Sequence, residues 1–266
     1  MIRVTVLGSG TSHGVPSIGC DCAVCRSSDP KDRRTRPSIL VELGGARVAS
    51  PFAAAVRSIL VDTSTDLREQ ALANNVRRVD AILFTHSHAD HVFGLDDVRR
   101  YNQMQKSAIP CYADEETMAS LRRMFAYIFE PPGQQGGGLP QLVPFQIAGP
   151  FTLGGLEIVP VPVFHGRLPV LGFRIGSFAY LTDCNRIPDA SWPLLDGVRT
   201  VVLDALRYRP HSTHFSVDQA IEVVARLGAE RAYFTHICHD LAHAETCARL
   251  PAGVELAYDG LVLEIE

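Results

Sequence analysis

The chain has 266 residues, 46% of them hydrophobic, enough to bury a substantial core in one domain spanning 1–266, with no linker-like boundary. Its net charge of −4 argues against holding nucleic acid by bulk electrostatics. No apolar stretch is long enough to span a bilayer, and the first residues read as a strand rather than a signal segment, so the expected location is the cytoplasm.

Residues 3–7 alternate as a strand and are broken by Gly8-Ser9-Gly10-Thr11. The following loop carries Cys20, Cys22 and Cys25 within 19–25. Seven cysteines are an odd number, and three of them fall in six residues, a poor disulfide framework but a good start on a metal site in a reducing compartment. A structural zinc would need a fourth ligand from elsewhere. Arg33, Arg34 and Arg36, ahead of Pro37, read as a solvated basic run. Strands are expected at 38–43 and 57–61, joined through Gly44-Gly45 and an Ala-rich insertion, 46–56. Asp62 closes the second strand, and 65–75 have a helical pattern.

The run Ala81-Ile82-Leu83-Phe84 is of strand type and ends, after Thr85, in His86, His88, Asp90 and His91. Metal-binding histidines on a helix are spaced i, i+4, whereas i, i+2 and i+5 suit a strand end folding into a tight loop. Three imidazoles and an acid so close together would repel or titrate badly unless a cation organised them. Helices follow at 94–104 and from Asp114, the latter with Leu121, Met124, Phe125 and Ile128 at core spacing. Residues 130–141 form a Gly-rich segment with the composition of a flexible loop. Strands return at 142–145, 156–163, 172–175 and 178–182, then at 199–203 and 231–235, with helices near 189–195 and over 216–227. Two short strands flank Asp259-Gly260. His86, His165, Asp183, Asp204 and His236 each follow an apolar run, and in a sandwich such strand ends line one edge.

The pattern His-x-His-x-Asp-His resembles the signature loop of the metallo-β-lactamase superfamily, which implies an α/β fold, an αββα sandwich of metallo-β-lactamase type, with a hydrolytic metal site along its edge. The stretch Gly-Cys-Asp-Cys-Ala-Val-Cys, that loop and Thr-His-Ile-Cys-His near the carboxyl end together look like the carbon–phosphorus lyase accessory phosphodiesterase family. That family hydrolyses 5-phosphoribosyl 1,2-cyclic phosphate and related phosphodiesters, and the resemblance spans nearly the whole chain. It implies two catalytic divalent metals, zinc or manganese, and one structural zinc. By the resemblance, His86, His88 and His165 hold the first catalytic ion, Asp90, His91 and His236 the second, and Asp183 bridges them. Cys20, Cys22, Cys25 and His239 hold the structural zinc, and Asp62 supports the histidine loop from behind. His214 matches the general acid, with Asp90 beside it as a catalytic residue. His211 is a weaker candidate for phosphate contact, and His13 and His243 read as ordinary. Departures from the family are the 46–56 insertion and the 130–141 segment, which leave the ligands untouched and bear on the shape of the substrate pocket.

Two cations roughly 3.5–4 Å apart can lower the pKa of a bridging water and hold phosphoryl oxygens for in-line attack. The departing alkoxide still needs a proton, the role given to His214. Arg33, Arg34, Arg36, Arg207 and Arg209 are the candidate phosphate contacts. Two rivals stay open. A transfer-RNA 3′ processing endonuclease shares the loop, but the acidic balance and the want of a long basic arm oppose it. A non-catalytic zinc-dependent binding protein would not need the complete catalytic ligand set. The expected partner is a small phosphodiester, with neither membrane nor nucleic acid, and a homodimer is left open.

Overall fold

The structure is a computed structural model and describes residues 1–44, 57–130 and 138–266. The 46–56 insertion and residues 131–137 of the Gly-rich segment lie outside the described residues. The strands are β1 Ile2–Gly8, β2 Ser38–Leu43, β3 Ser58–Val61, β4 Ala81–Leu83, β5 Ile109–Ala113, β6 Leu142–Gln146, β7 Phe151–Leu153, β8 Leu156–His165, β9 Leu168–Ile175, β10 Phe178–Leu181, β11 Thr200–Asp204, β12 Arg231–Thr235, β13 Val254–Leu256 and β14 Val262–Ile265. They form two mixed seven-stranded sheets, ordered β14-β1-β2-β3-β4-β5-β6 and β13-β12-β11-β10-β9-β8-β7.

Strand alternation sends neighbouring side chains to opposite faces, and here both faces are apolar. Ile39, Val41, Ile59, Val61 and Leu83 of the first sheet meet Ile158, Phe173, Ile175 and Tyr180 of the second in a core between the sheets. The residues in between, Leu40, Leu60 and Ile82, face outward onto Leu67, Val98, Tyr101 and Leu121 of the flanking helices. On the far side, Ala179, Leu181, Val201, Leu203 and Phe234 pack against Val217, Ala220 and Val224 of helix Val217–Leu227. Helix, sheet, sheet, helix is the layering that results, the expected αββα sandwich.

The parallel pairings place the functional loops. β3, β4, β5 and β6 run parallel, as do β10, β11, β12 and β13, so their carboxyl ends share one edge. The sheets are joined there: Leu171 N–H donates to the Thr85 carbonyl at 3.0 Å, Thr11 N–H to the Ile237 carbonyl at 3.1 Å and Ile237 N–H to the Ser9 carbonyl at 2.9 Å. Three residues just past strand ends, Asp62, Asp183 and His236, have left-handed backbones with φ of 63°, 51° and 60°. Such strain costs of order 1–3 kcal/mol each and turns the chain sharply at the edge.

Some expectations needed correction. β5, β7 and the short helix His243–Cys247 were not anticipated, because β5 contains Pro110 and the other two are too short to show a period. The helix expected from Asp114 is capped by that side chain, which accepts from the Thr117 amide at 2.8 Å, but it ends at Met124. Phe125 breaks it before a second turn, Ala126–Phe129. The lost phase leaves Phe125 in the core and Met124 38% exposed. The histidine loop is not wholly irregular either, since Ala89–Val92 form one helical turn.

Candidate metal centre

All the expected catalytic-site residues meet at the shared edge. Asp90, His91, Asp183 and His236 form one group of converging donor atoms, His86, His88 and Asp183 a second, and His165, Asp183 and His214 a third. Asp183 belongs to all three, which is the placement a bridging carboxylate requires. Its Oδ1 lies 3.1 Å from His91 Nε2, and its Oδ2 lies 3.3 Å from His236 Nε2 and 3.8 Å from His86 Nε2. Asp90 Oδ2 is 3.5 Å from His91 Nε2 and 3.6 Å from His236 Nε2. His165 stands slightly apart from the pair it was grouped with, its ring centroid 5.2 Å from His88 and 5.8 Å from His86, and closer to His214 at 4.6 Å.

Hydrogen bonds behind the ligands fix which nitrogen faces the cavity. His91 Nδ1–H donates to Asp62 Oδ2 at 2.7 Å, leaving Nε2 inward. The same carboxylate accepts from the Thr85 amide and the Thr85 hydroxyl, both at 2.8 Å, and Thr85 Oγ1 sits 3.0 Å from His86 Nδ1. One buried acid thereby orients two histidines, as expected of Asp62. His165 Nδ1–H donates to the Thr213 carbonyl at 2.9 Å. His214 Nδ1 lies 2.7 Å from Asp204 Oδ2, and both residues are buried. Thr85 and Asp204 were not given these supporting roles from the sequence. The only signals were a Thr beside the first ligand and an acid at a strand end ten residues before His214.

The donor chemistry fits divalent ions. His86 Nε2, Asp90 Oδ2, His91 Nε2 and both nitrogens of His236 are buried without a hydrogen-bond partner. Unpaired buried polar atoms cost about 1–3 kcal/mol each, and cations among them would satisfy all but Nδ1 of His236, whose Nε2 faces Asp90 and Asp183. Desolvation pushes buried His86, half-buried His165 and, despite its exposed edge, His88 below the ordinary histidine value, which favours the neutral form that binds metal, and burial does the same to His214. Burial would raise Asp183 and Asp90, but His236 and His91 around the first, and His91 and His236 around the second, hold both carboxyls well below the usual range. At His91 burial is likewise outweighed: Asp183, Asp62 and Asp90 hold it well above its ordinary value. A field that stabilises a proton on a fully buried imidazole is one that calls for positive charge.

The second cluster lies apart from the first. Sγ of Cys20, Cys22 and Cys25 lie 3.2, 3.4 and 3.5 Å from His239 Nδ1. A tetrahedral zinc with its usual bond lengths has an S···N edge of about 3.5 Å, so the four atoms fit one ion. Amides of Cys25 and Ser17 donate to Cys22 Sγ and Cys25 Sγ. The Cys25 amide holds the Cys22 thiol down at about 6, whereas burial raises Cys25 to about 11. All seven cysteines are unpaired.

The basic run read as solvated surface is only partly so. Arg33 is exposed and Arg36 pairs with Asp66 at 2.8 Å, but Arg34 is 1% exposed and bound within the fold. His13 is exposed, and His243 is buried beside Asp32 with its Nδ1 unpartnered.

The fold and donor sets define a class: a metallo-β-lactamase-type α/β sandwich with a His/Asp site typical of dinuclear members and a further Cys₃His cluster whose donors could hold another ion. The profile of the β-lactamase superfamily domain matches residues 57–237. A diphosphatase of the PhnP family, known from its crystal structure, is 46% identical and superposes with a TM-score of 0.89, covering 100% of this chain and 98% of that one. The chain therefore belongs to the metallo-β-lactamase superfamily and, within it, to the PhnP family. An octanoyltransferase of Porphyromonas gingivalis is 37% identical over 98% of this chain and 51% of its own length, so the chain spans about half of that relative. Coenzyme PQQ synthesis protein B of Rhodopseudomonas palustris is 29% identical over 98% of each chain. No helix among the described residues is long and apolar enough to cross a membrane.

Proposed function

We propose that the chain is a dinuclear metal-dependent phosphoric diester hydrolase acting on small phosphodiesters, cyclic ones such as 5-phosphoribosyl 1,2-cyclic phosphate among them. The observation that carries this reading is a pair of donor groups sharing Asp183, with the His214–Asp204 pair beside them. A PhnP-family relative that is a diphosphatase supports chemistry at phosphorus. His86, His88 and His165 would hold one ion, Asp90, His91 and His236 the other, with Asp183 shared. Bound there, the ions supply Lewis acidity and an activated water for attack at phosphorus.

The protein's own part is to place the substrate and to manage a proton. Asp204 Oδ2 meets His214 Nδ1 at 2.7 Å, and burial holds that carboxyl well above its usual range, so a proton on Asp204 is donated to Nδ1. Neutral His214 then carries its own proton on the other ring nitrogen, which has no hydrogen bond among the described residues and can pass it to the departing oxygen. His165, anchored to the Thr213 carbonyl, fixes the same loop from the opposite side. Among the five candidate arginines, Arg33 is exposed, Arg34 is buried in the fold, Arg36 pairs with Asp66, and Arg209 lies 3.4 Å from Asp240. Arg207 makes its hydrogen bonds to the carbonyls of Arg209 and Pro210, and its charge acts on both His211 and His214. It is the arginine best placed to meet a phosphate oxygen.

The leaving group supplies the test. His214→Ala should keep its metal content and lower turnover of an alkyl or sugar diester by about 10²–10⁴-fold, with a much smaller loss on bis(p-nitrophenyl) phosphate, whose leaving group needs no proton. Equal losses on both would remove His214 from the acid role. Efficient cleavage of precursor transfer RNA with no turnover of small diesters would favour the endonuclease, and no turnover of either by metal-loaded protein would favour a binding protein.

A further inference from the structure

His236 and His239 stand in one short segment yet face different clusters, so whatever sets the path of that segment sets both. Arg34, 204 residues before Cys238 in the chain, reaches that segment. Its Nη1 donates to the Cys238 carbonyl at 2.9 Å and its Nη2 to the Leu241 carbonyl at 2.6 Å. Nη2 also meets Asp32 Oδ1 at 2.9 Å, and that oxygen accepts the His243 amide at 2.8 Å. Arginine and acid together therefore grip three points of the stretch that follows His236. Arg34 is 1% exposed and Asp32 5% exposed.

A buried ion pair is an inefficient way to gain stability, because desolvating both charges takes back most of their attraction and an apolar filler of similar volume does as well. A guanidinium, however, offers donors in a rigid fork that can pin two carbonyls at a set spacing, which an apolar side chain cannot. The pinned segment is also one that needs holding, since His236 carries a left-handed φ of 60°. Arg34 itself descends from the Cys20–Cys25 loop by a short connection, Pro30–Asp32, with Arg34 N–H also bonded to the Val15 carbonyl at 2.8 Å.

We propose that Arg34 is a positioning residue for both metal clusters, a strut that locks His239 against the three thiols and His236 against Asp90 and Asp183 in a single register. Occupancy of the thiol cluster and affinity at the His/Asp cluster are then coupled through it, and the coupling is reciprocal. The inference concerns metal binding and stands whatever ester the site cleaves.

The test is cobalt titration of metal-stripped protein, in which the sulfur-to-cobalt charge-transfer band reports the thiol cluster and the ligand-field bands report the His/Asp cluster. Arg34→Lys keeps the charge and loses the fork. It should weaken cobalt binding at both clusters by about 10–100-fold, the usual cost of disturbing groups behind metal ligands, and alter both sets of bands. Wild-type affinity and bands at both clusters, with only a lowered melting temperature, would reduce Arg34 to a structural residue. If Arg34→Lys fails to fold, Cys20→Ser in the native background still decides the coupling. Weaker cobalt binding at the distant His/Asp cluster supports it, and unchanged binding there overturns it.

Discussion

Protonation at single residues makes the two clusters titrate differently. His86, His88 and His165 are held below the ordinary histidine value, by desolvation in each case and at His88 by the neighbouring His165 as well, so binding at the His/Asp cluster displaces no proton from them near pH 7. His91 is held protonated by the surrounding carboxylates, and a metal must displace that proton. The sign follows: apparent affinity falls as pH drops, about tenfold per unit for each proton displaced, and the dependence flattens only above the raised His91 value. Calorimetry in buffers of different ionisation enthalpy should find about one proton released at that cluster. At the thiol cluster Cys22 is already a thiolate at neutral pH, while Cys25, raised to about 11, must give up its proton on binding. Asp62 works through His91. Asp62→Ala should cost about 10–100-fold in metal affinity without touching an ion, measured by competition with a chromophoric chelator.

At the scale of elements, the histidine loop keeps its place by close approach to the end of β3. A Cβ on Gly94 would sit 2.0 Å from the Ser64 carbonyl oxygen and 2.8 Å from Leu67 Cβ, and the Gly94 amide donates to the Thr63 carbonyl at 3.0 Å. Gly94→Ala should therefore push the ligand-bearing turn Ala89–Val92 away from Asp62. Expected are a loss of roughly 1–3 kcal/mol in urea unfolding and weakened metal binding. A contrasting case is helix Val217–Leu227, where Ser216 Oγ accepts from the Gln219 amide and Gln219 Oε1 from the Ser216 amide. Ser216→Ala should lose about 0.5–2 kcal/mol of stability, read as a shifted urea midpoint, and leave metal content unchanged.

For the whole molecule, metal and folding are linked because the donors converge from both sheets. At free metal 1,000-fold above the dissociation constant, one ion adds about 4 kcal/mol to the folded state. In a chain of this size that corresponds to roughly 10 °C, so chelation should lower the melting temperature by at least that much when more than one ion is removed. Differential scanning fluorimetry with and without a chelator checks it, and an unchanged transition would mean that the clusters do not bind ions from both sheets at once. The same convergence is why cutting the Cys₃His cluster should be felt at the opposite sheet, through the shared segment from His236 to His239.

The sequence by itself determined most strands and marked the two loops that carry candidate ligands. His86, His88, Asp90 and His91 are adjacent in the chain, and Cys20, Cys22 and Cys25 fall in one loop, so local spacing carried their chemistry. The apolar runs Ile39-Leu40-Val41 and Ala232-Tyr233-Phe234 marked β2 and β12, since strands covered on both faces carry consecutive rather than alternating apolar residues. Asp62, His239 and the roles of His165, Asp183 and His236 came only through family resemblance, because their partners lie far away along the chain. Tertiary structure alone decided that Arg34 is buried, that Asp204 holds His214 and that Thr85 relays Asp62 to His86. An arginine in a basic run looks the same in sequence whether its guanidinium reaches water or the carbonyls of Cys238 and Leu241. Which of the two it meets depends on a segment some 200 residues away, brought near only when both sheets close.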